Sequence, residues 1–379
     1  MLVAIVAILT VFGLIAVYSA SFVKSLVDTG DPYYYFVRQT IWAFGGAIGM
    51  LIIARFDYRR LQPLAVPLML LTLALLVTVI LVGVEGGGAR RWIGIGELTL
   101  QPAEFAKLTV TIYLAAWLAS RGSSLRSWEH GLLPFVLIIG AVSALILLQP
   151  NLGTTLIVLA ITVTMFWVAG ASIVQMAALL GSGLVAITLL ALGAGYRAER
   201  ITAFLHAEKD PDGIGFQTLQ ALIAIGNGGI AGLGLGASRA KFFYLPESHT
   251  DGIFAIIGEE LGLLAGLSLL LLYILLMVRG YQIARRARDE FGQLVATGIT
   301  TWVAVQALLN IGGILRVIPL TGVPLPFISY GSNAIVALLL AMGVLISISR
   351  YGNDRGGYLD KHPPERRPRG TIVRREPAT

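Results

Sequence analysis

Between Gly131 and Tyr196 the chain runs for 66 consecutive residues without one Asp, Glu, Lys or Arg. A helix of about 20 apolar residues crosses a bilayer, so this stretch alone accommodates three spans. Further uncharged stretches cover 1–23, 61–84, 292–315 and 317–349. Only 13% of the 379 residues are charged, against about 25% in soluble domains, and 56% are hydrophobic. The predicted fold class is therefore all-α, a polytopic membrane protein. The absence of cysteine excludes a disulfide scaffold, a thiolate zinc site and a thiol nucleophile. The net charge of +7 owes much to residues 350–379, where eight basic side chains accompany four acidic ones. That excess reads as membrane orientation, with no nucleic acid partner.

Apolar runs bounded by charges or by Pro/Gly clusters predict ten spans: 2–23, 33–54, 64–84, 103–120, 131–148, 153–169, 172–195, 251–278, 292–315 and 331–349. The first run has no basic segment before it and nine more runs after it, so it reads as a span and not as a cleaved signal peptide. An even count puts both termini on one side. One set of loops with the tail carries 17 Lys/Arg, against 5 near the short loops of the other set, which places both termini in the cytoplasm. The chain thus divides into a ten-helix transmembrane domain over 1–350 and a cytoplasmic tail over 351–379, whose prolines and alternating charges predict disorder. The 196–250 loop faces outward, and its apolar segment Phe216–Gly226 is expected to form an interfacial helix.

Ionisable groups inside spans are costly and mark candidate sites. Span 4 opens Gln101-Pro-Ala-Glu-Phe-Ala-Lys107, with Pro102 suited to a first helical turn and Glu104 and Lys107 three residues apart on one face. Spacing alone favours a structural salt bridge for that pair. Span 8 opens Leu245-Pro-Glu-Ser-His-Thr-Asp251, where Asp251 is either a first-turn acid capped by Ser248 or Thr250, or a catalytic carboxylate. Glu259 and Glu260, deeper in the same span, read as hydrogen-bonded interior groups that hold helices together. Spans 2, 4, 6, 8 and 10 all begin on the outer side, and five helix N-termini opening on one face favour an anion there. With Arg38, Lys107, Arg197, Arg200, Arg239 and Lys241 nearby in sequence, a phosphate or diphosphate on a lipid carrier is the natural ligand. The glycine run Gly226–Gly236 follows no strand and lacks the Lys-Ser/Thr of a phosphate loop, so it reads as a hinge or a tight packing segment. His206 and His249 have no metal-ligand spacing.

Taken in order, Gln101–Lys107, Gln149-Pro-Asn-Leu-Gly-Thr154, Gly213–Gln217 with Ala224–Gly229, Lys241–Asp251 and Pro324-Leu-Pro-Phe-Ile-Ser-Tyr-Gly331 resemble the motifs of the SEDS family, typified by RodA and FtsW. The wording of 238–247 is slightly closer to the FtsW branch. The resemblance implies ten spans and a peptidoglycan glycosyltransferase of the bacterial cytoplasmic membrane that polymerises lipid II on the outer face. It also implies a class B penicillin-binding protein as transpeptidase partner and Asp251 as the essential acid. Three positions depart from the family pattern: Gly252 where a bulky aromatic is usual, Asn151 where Asp is common, and Gly331-Ser-Asn333 where Gly-Gly-Ser is usual.

These readings converge on glycosyl transfer with Asp251 as general base and with Arg38, Glu104, Lys107, Arg197, Arg200 and Lys241 as substrate contacts. A divalent cation, Mg2+ or Mn2+, is implied by the chemistry and the family, although the sequence offers no dedicated ligand cluster. The rival readings are a lipid II flippase, in which Glu104, Lys107, Glu259 and Glu260 serve translocation, and a noncatalytic scaffold.

Overall fold

The computed structural model describes residues 1–86, 89–95, 98–193, 204, 206 and 213–352. Its first helices are α1 (Leu2–Thr29), α2 (Tyr34–Ile53), α3 (Ala65–Val82), α4 (Pro102–Ala119), α5 (Leu133–Leu147), α6 (Leu152–Val168) and α7 (Ile173–Gly193). They are followed by α8 (Ile214–Gly228), α9 (Ile253–Arg286), α10 (Glu290–Ile314) and α11 (Ser332–Gly352). Every predicted span falls on one of these helices, and α8 is the helix expected in the outer loop. Among the described residues, seven helices are long and apolar enough to cross a membrane. The predicted spans outside that set are α4, which carries the Glu104–Lys107 pair, and α6 and α7, whose described apolar stretches are shorter. The tail beyond 352, with its expected disorder, lies outside the described residues.

Helix α10 is the hub. In its apolar window 78% of residues are buried, against 22% in α2, because α10 packs on α4, α6, α9 and α11 while α2 turns one flank to lipid. Its side chains suit that position: Thr297, Thr300, Thr301, Gln306 and Asn310 are all buried, and such polar groups can face only protein in a membrane.

Two features differ from the sequence expectation. The segment between α3 and α4 forms a small antiparallel sheet, β1 (Val84–Gly86), β2 (Ala89–Ile95) and β3 (Leu98–Leu100), in the order β1-β2-β3. Trp92-Ile93 and Ile95 between glycine clusters were the local strand signal. From β2, Arg91 donates to Gln149 O at 3.2 Å and to Pro150 O, clamping the entrance to α6.

The second feature is a break inside α9. Gly262 stands at φ 74°, outside helical space, and the glycine-rich segment after α8 fills the gap. The amides of Leu233 and Gly234 donate to the carbonyls of Glu259 and Glu260 at 3.0 and 2.9 Å. In return, the amides of Leu263 and Leu264 donate to the carbonyls of Gly229 and Ile230. A helix interrupted at membrane depth must have its freed backbone groups met by protein, and the loop meets them. The glycine run is thus a packing segment, not a hinge. Helix α8 also lies against α9, with Gly228 so close to the Gly258 carbonyl that no Cβ would fit.

Candidate functional site

Asp251 lies in a turn just before α9, not within the helix: the N-cap is Gly252, which has no side chain to offer, and Ile253 begins the helix. The cap expected from Ser248 or Thr250 is not made. Ser248 Oγ donates to Ala20 O on α1, and Thr250 Oγ1 donates to Glu247. The turn is closed by the amides of Thr250 and Gly252 donating to Glu247 O, with Glu247 itself in the left-handed region at φ 51°. From α10, Asn310 Nδ2 donates to both Asp251 O and Val323 O at 2.8 Å, so the turn is pinned to the core through its backbone. The partly exposed carboxylate accepts from Gln217 Nε2 of α8 at 3.4 Å and from Thr250 Oγ1 at 3.3 Å.

Beside it, His249 is only 3% exposed, with its ring 5.0 Å from Tyr35 and 5.6 Å from Tyr330. Its carbonyl accepts from the Tyr330 amide at 2.9 Å. Burial pushes the imidazole down to about 4; the carboxylates of Glu247 and Asp28 oppose this and Lys24 adds to it. The ring is therefore neutral at physiological pH. No group of three or more metal-binding side chains occurs among the described residues.

Arg38 projects from the first turns of α2 and donates to Tyr34 OH at 2.6 Å. One residue on, buried Gln39 bonds Ser329 O and the Gly331 amide, tying α2 to the Ser329–Gly331 turn before α11. The charge of Arg38 reaches Tyr330, where burial raises the phenol pKa more than Arg38 and Ser332 lower it. The structure thus brings together Arg38, Tyr35, His249, Tyr330 and the Asp251 turn at the outer ends of α2, α9 and α11. Arg197 and Arg200 lie outside the described residues.

The remaining expected contacts are engaged elsewhere. Lys107 Nζ is 2.8 Å from Glu104 Oε2 and 3.2 Å from Gln306 Oε1, and lies over the Trp302 ring at 4.8 Å. With Lys107 at 1% and Glu104 at 4% exposure, the pair is an interior network joining α4 to α10. The expectation of a phosphate contact at Lys241 also meets a different geometry. Its ammonium bonds Glu260 Oε1 at 3.0 Å, Gly236 O at 2.6 Å and Ser19 Oγ at 3.4 Å. An ammonium has three donors, and these partners use them. Glu259 accepts from Ser238 Oγ and from the amides of Arg239 and Ala240. Glu259 and Glu260 therefore fasten segment 236–241 to α9 and α1, the interior role their sequence context suggested.

Of the outer helix N-termini, α2, α4 and α9 have no side-chain cap, whereas Asn151 caps α6 through the Thr154 amide at 3.2 Å. Asn151 thus performs a capping role despite departing from the family's Asp, and Asn333 donates to Thr99 O, joining α11 to β3. At Gly252 a Cβ would meet Glu247 O at 3.1 Å, a close but ordinary backbone site at φ −80°. Sequence reasoning had not singled out Asn310, Gln306, Ser19, Ser238 or Tyr35. Asn310 and Gln306, two amides four residues apart in an uncharged span, were the available signal.

Residues 1–354 match the cell cycle protein family that groups FtsW, RodA and SpoVE. The chain is 42% identical to stage V sporulation protein E of Bacillus subtilis, with 93% of this chain and 96% of that protein aligned. It is 39% identical to a probable peptidoglycan glycosyltransferase FtsW of Trichlorobacter lovleyi, with 90% of each covered. In three dimensions it is similar to a chain from a structure described as the structural coordination of polymerization and crosslinking by a peptidoglycan synthase complex. That match has TM-score 0.75 and 30% identity, covering 93% of this chain and 97% of the other. The rod shape determining protein RodA of Thermus thermophilus gives TM-score 0.68 at 29% identity, covering 92% and 95%. The chain belongs to the FtsW/RodA/SpoVE family, the SEDS proteins that its motifs resemble.

Proposed function

We propose that the chain is a peptidoglycan glycosyltransferase that polymerises lipid II at the outer face of the bacterial cytoplasmic membrane, with Asp251 as general base. The observation that carries the role of Asp251 is its placement. It is a partly exposed carboxylate that accepts from Gln217 and Thr250, its backbone fixed by Asn310, at the mouth of a helix whose N-cap has no side chain. Asp251 accepts the proton of the acceptor 4-hydroxyl while that oxygen bonds the anomeric carbon of the donor sugar. The bond from that carbon to the polyprenyl diphosphate breaks, and the diphosphate leaves with the electron pair. A positioned base contributes about 10²–10⁴ in rate. The charge on the leaving group is met by Arg38, by the uncapped N-termini of α2, α4 and α9, and by Arg197 and Arg200 as further candidates.

For the Mg2+ or Mn2+ implied by the resemblance, no group of three or more His, Asp or Glu side chains that could hold it occurs among the described residues. No step of the transfer above is routed through it. The similar chain belongs to a peptidoglycan synthase complex that coordinates polymerization and crosslinking, which supports a transpeptidase of the class B penicillin-binding type as partner. The transport reading relied on Glu104, Lys107, Glu259 and Glu260, all of which are engaged in interior bonds.

The test is to incubate the purified protein with its transpeptidase partner and labelled lipid II, and to compare Asp251→Asn. The expected result is a loss of glycan strands of about 10²-fold or more by the general-base argument. Strands at undiminished yield would remove Asp251 from the chemistry. Lipid scrambling in vesicles without any polymer would favour the flippase.

A further inference from the structure

At the opposite end of the molecule, a cavity of about 210 Å³ opens where the start of α1 meets the last turns of α9 and α11. Arg279, Gln282 and Arg286 of α9 line it, together with Leu2 of α1 and Ile348 and Ser349 of α11. Residues 279, 282 and 286 fall three and seven apart, so one helix face delivers two guanidinium groups and an amide to one space. We propose that this cavity is a binding site for a phosphate ester, filled by the headgroup of an anionic phospholipid of the cytoplasmic leaflet.

Charge points to an anion. Some cations elsewhere in the structure meet a carboxylate, as Lys107 meets Glu104, Lys241 meets Glu260 and Arg59 meets Asp289, and others spread singly onto backbone carbonyls, as Arg126, Arg316 and Arg350 do. Arg279 instead donates to the Met1 sulfur, a weak acceptor, and to Gln282 Oε1 at 3.0 Å. Among the described residues, neither Arg279 nor Arg286 has a carboxylate partner. The orientation rule accounts for arginines anywhere along this loop. It does not account for two of them converging on one cavity without a counter-charge. A guanidinium fork matches phosphate oxygens in pairs, and two such forks with the Gln282 amide and the Ser349 hydroxyl make a donor-rich pocket.

Depth selects a lipid over a soluble phosphate. Ile274 and Val278, 49% and 47% exposed, form the lipid-facing surface of α9 immediately before Arg279. The cavity therefore opens where hydrocarbon gives way to headgroups. Its apolar wall of Leu2, Ile283 and Ile348 suits the glycerol and the first methylenes of acyl chains. Basic side chains just cytoplasmic of a span gain from anionic lipid in this way.

The experiment uses the full chain in detergent, supplied with phosphatidylglycerol, with phosphatidylcholine, or with glycerol 3-phosphate, and reads retained lipid by native mass spectrometry and the shift in Tm. Phosphatidylglycerol alone is expected to be retained and to raise Tm, since a ligand of the native state stabilises it by mass action. The double variant Arg279→Gln/Arg286→Gln is expected to lose about thirtyfold in phosphatidylglycerol affinity, from a contribution of two basic groups at the headgroup layer. Arg286→Gln, at an exposed position where folding is not at stake, is expected to lose about fivefold by the same reasoning, whereas Arg60→Gln, outside the cavity, is expected to lose nothing. Equal retention of phosphatidylcholine, unchanged affinity in the Arg286→Gln variant, or protection by glycerol 3-phosphate equal to that by the lipid would each overturn the proposal.

Discussion

Asp251 and His249 sit two residues apart in one turn, yet burial gives them opposite uses. The acid is open enough to meet a substrate hydroxyl, while the histidine is packed between Tyr35 and Tyr330 and held neutral, its pKa lowered to about 4. An unfolded histidine titrates near 6.5, so between 6.5 and about 4 the unfolded chain binds a proton that the native chain refuses. Stability contributed by this residue is thus complete above 6.5 and is lost as pH falls through that window, at up to about 1.4 kcal/mol per pH unit. His249→Phe keeps an aromatic ring between the tyrosines and removes the titration. The variant is therefore expected to lose less Tm than the parent between about pH 7.5 and pH 5, a range that takes in the upper part of the window. Parallel losses would show that His249 is not the titrating group. The Glu104–Lys107 pair supports a second prediction at this scale. Lys107→Met would strand a buried carboxylate, at a cost of about 3–5 kcal/mol. The yield of monodisperse protein should fall accordingly, and Glu104→Gln added to it should restore much of that yield. A stable Lys107→Met protein that makes no polymer would instead return Lys107 to the substrate.

The break in α9 shows how much one element can depend on another that is distant from it in function. Gly232 in the loop is a place where backbone meets backbone: a Cβ there, at φ 80°, would run into the Glu260 carbonyl. Gly232→Ala is therefore expected to cost at least about 2 kcal/mol, from left-handed strain plus the lost fit. Because Glu259 and Glu260 anchor segment 236–241, which leads to the Asp251 turn, polymerising activity should fall with it. Ala231→Gly, in the same loop, should leave Tm nearly unchanged. A Gly232→Ala protein with parental Tm would mean that the loop packs less closely than described. Such a contact was not legible in the sequence, which showed a glycine run and two acids but not that they meet across a broken helix. The spans were legible, because an uncharged stretch about 20 residues long has one stable place in a cell. The β1-β2-β3 sheet was not, because strands of three to seven residues carry little periodicity. Asp251 was legible as a candidate, but its release from capping depended on Ser248 bonding to Ala20, a contact 228 residues away in sequence.

At the scale of the whole molecule, both proposed sites depend on orientation: the Asp251 turn must face outward and the Arg279–Arg286 cavity inward. The basis for that orientation is the bias of Lys and Arg toward one set of short loops, 17 against 5. The Asp251 turn lies at the start of α9 and Arg279 and Arg286 lie near its end, with an exposed apolar surface between them, so the two sites face opposite sides whichever way the chain is oriented. The absence of native cysteine makes this directly measurable, because any thiol introduced is the sole target for a maleimide. Tyr244, 60% exposed in the segment leading to the turn, and Arg60, exposed between α2 and α3, are on opposite sides in this arrangement. In intact cells, or spheroplasts where an outer membrane is present, a membrane-impermeant maleimide is expected to label Tyr244→Cys and to spare Arg60→Cys. After permeabilisation both should label, which shows that the second thiol is reactive and was merely screened. Labelling of Arg60→Cys alone in intact cells would invert the molecule. The polymerising site would then face a compartment without peptidoglycan, and the phosphate-ester cavity would face the outer leaflet. Neither proposal would survive that inversion, whereas the helix packing and the interior ion pairs would stand unchanged.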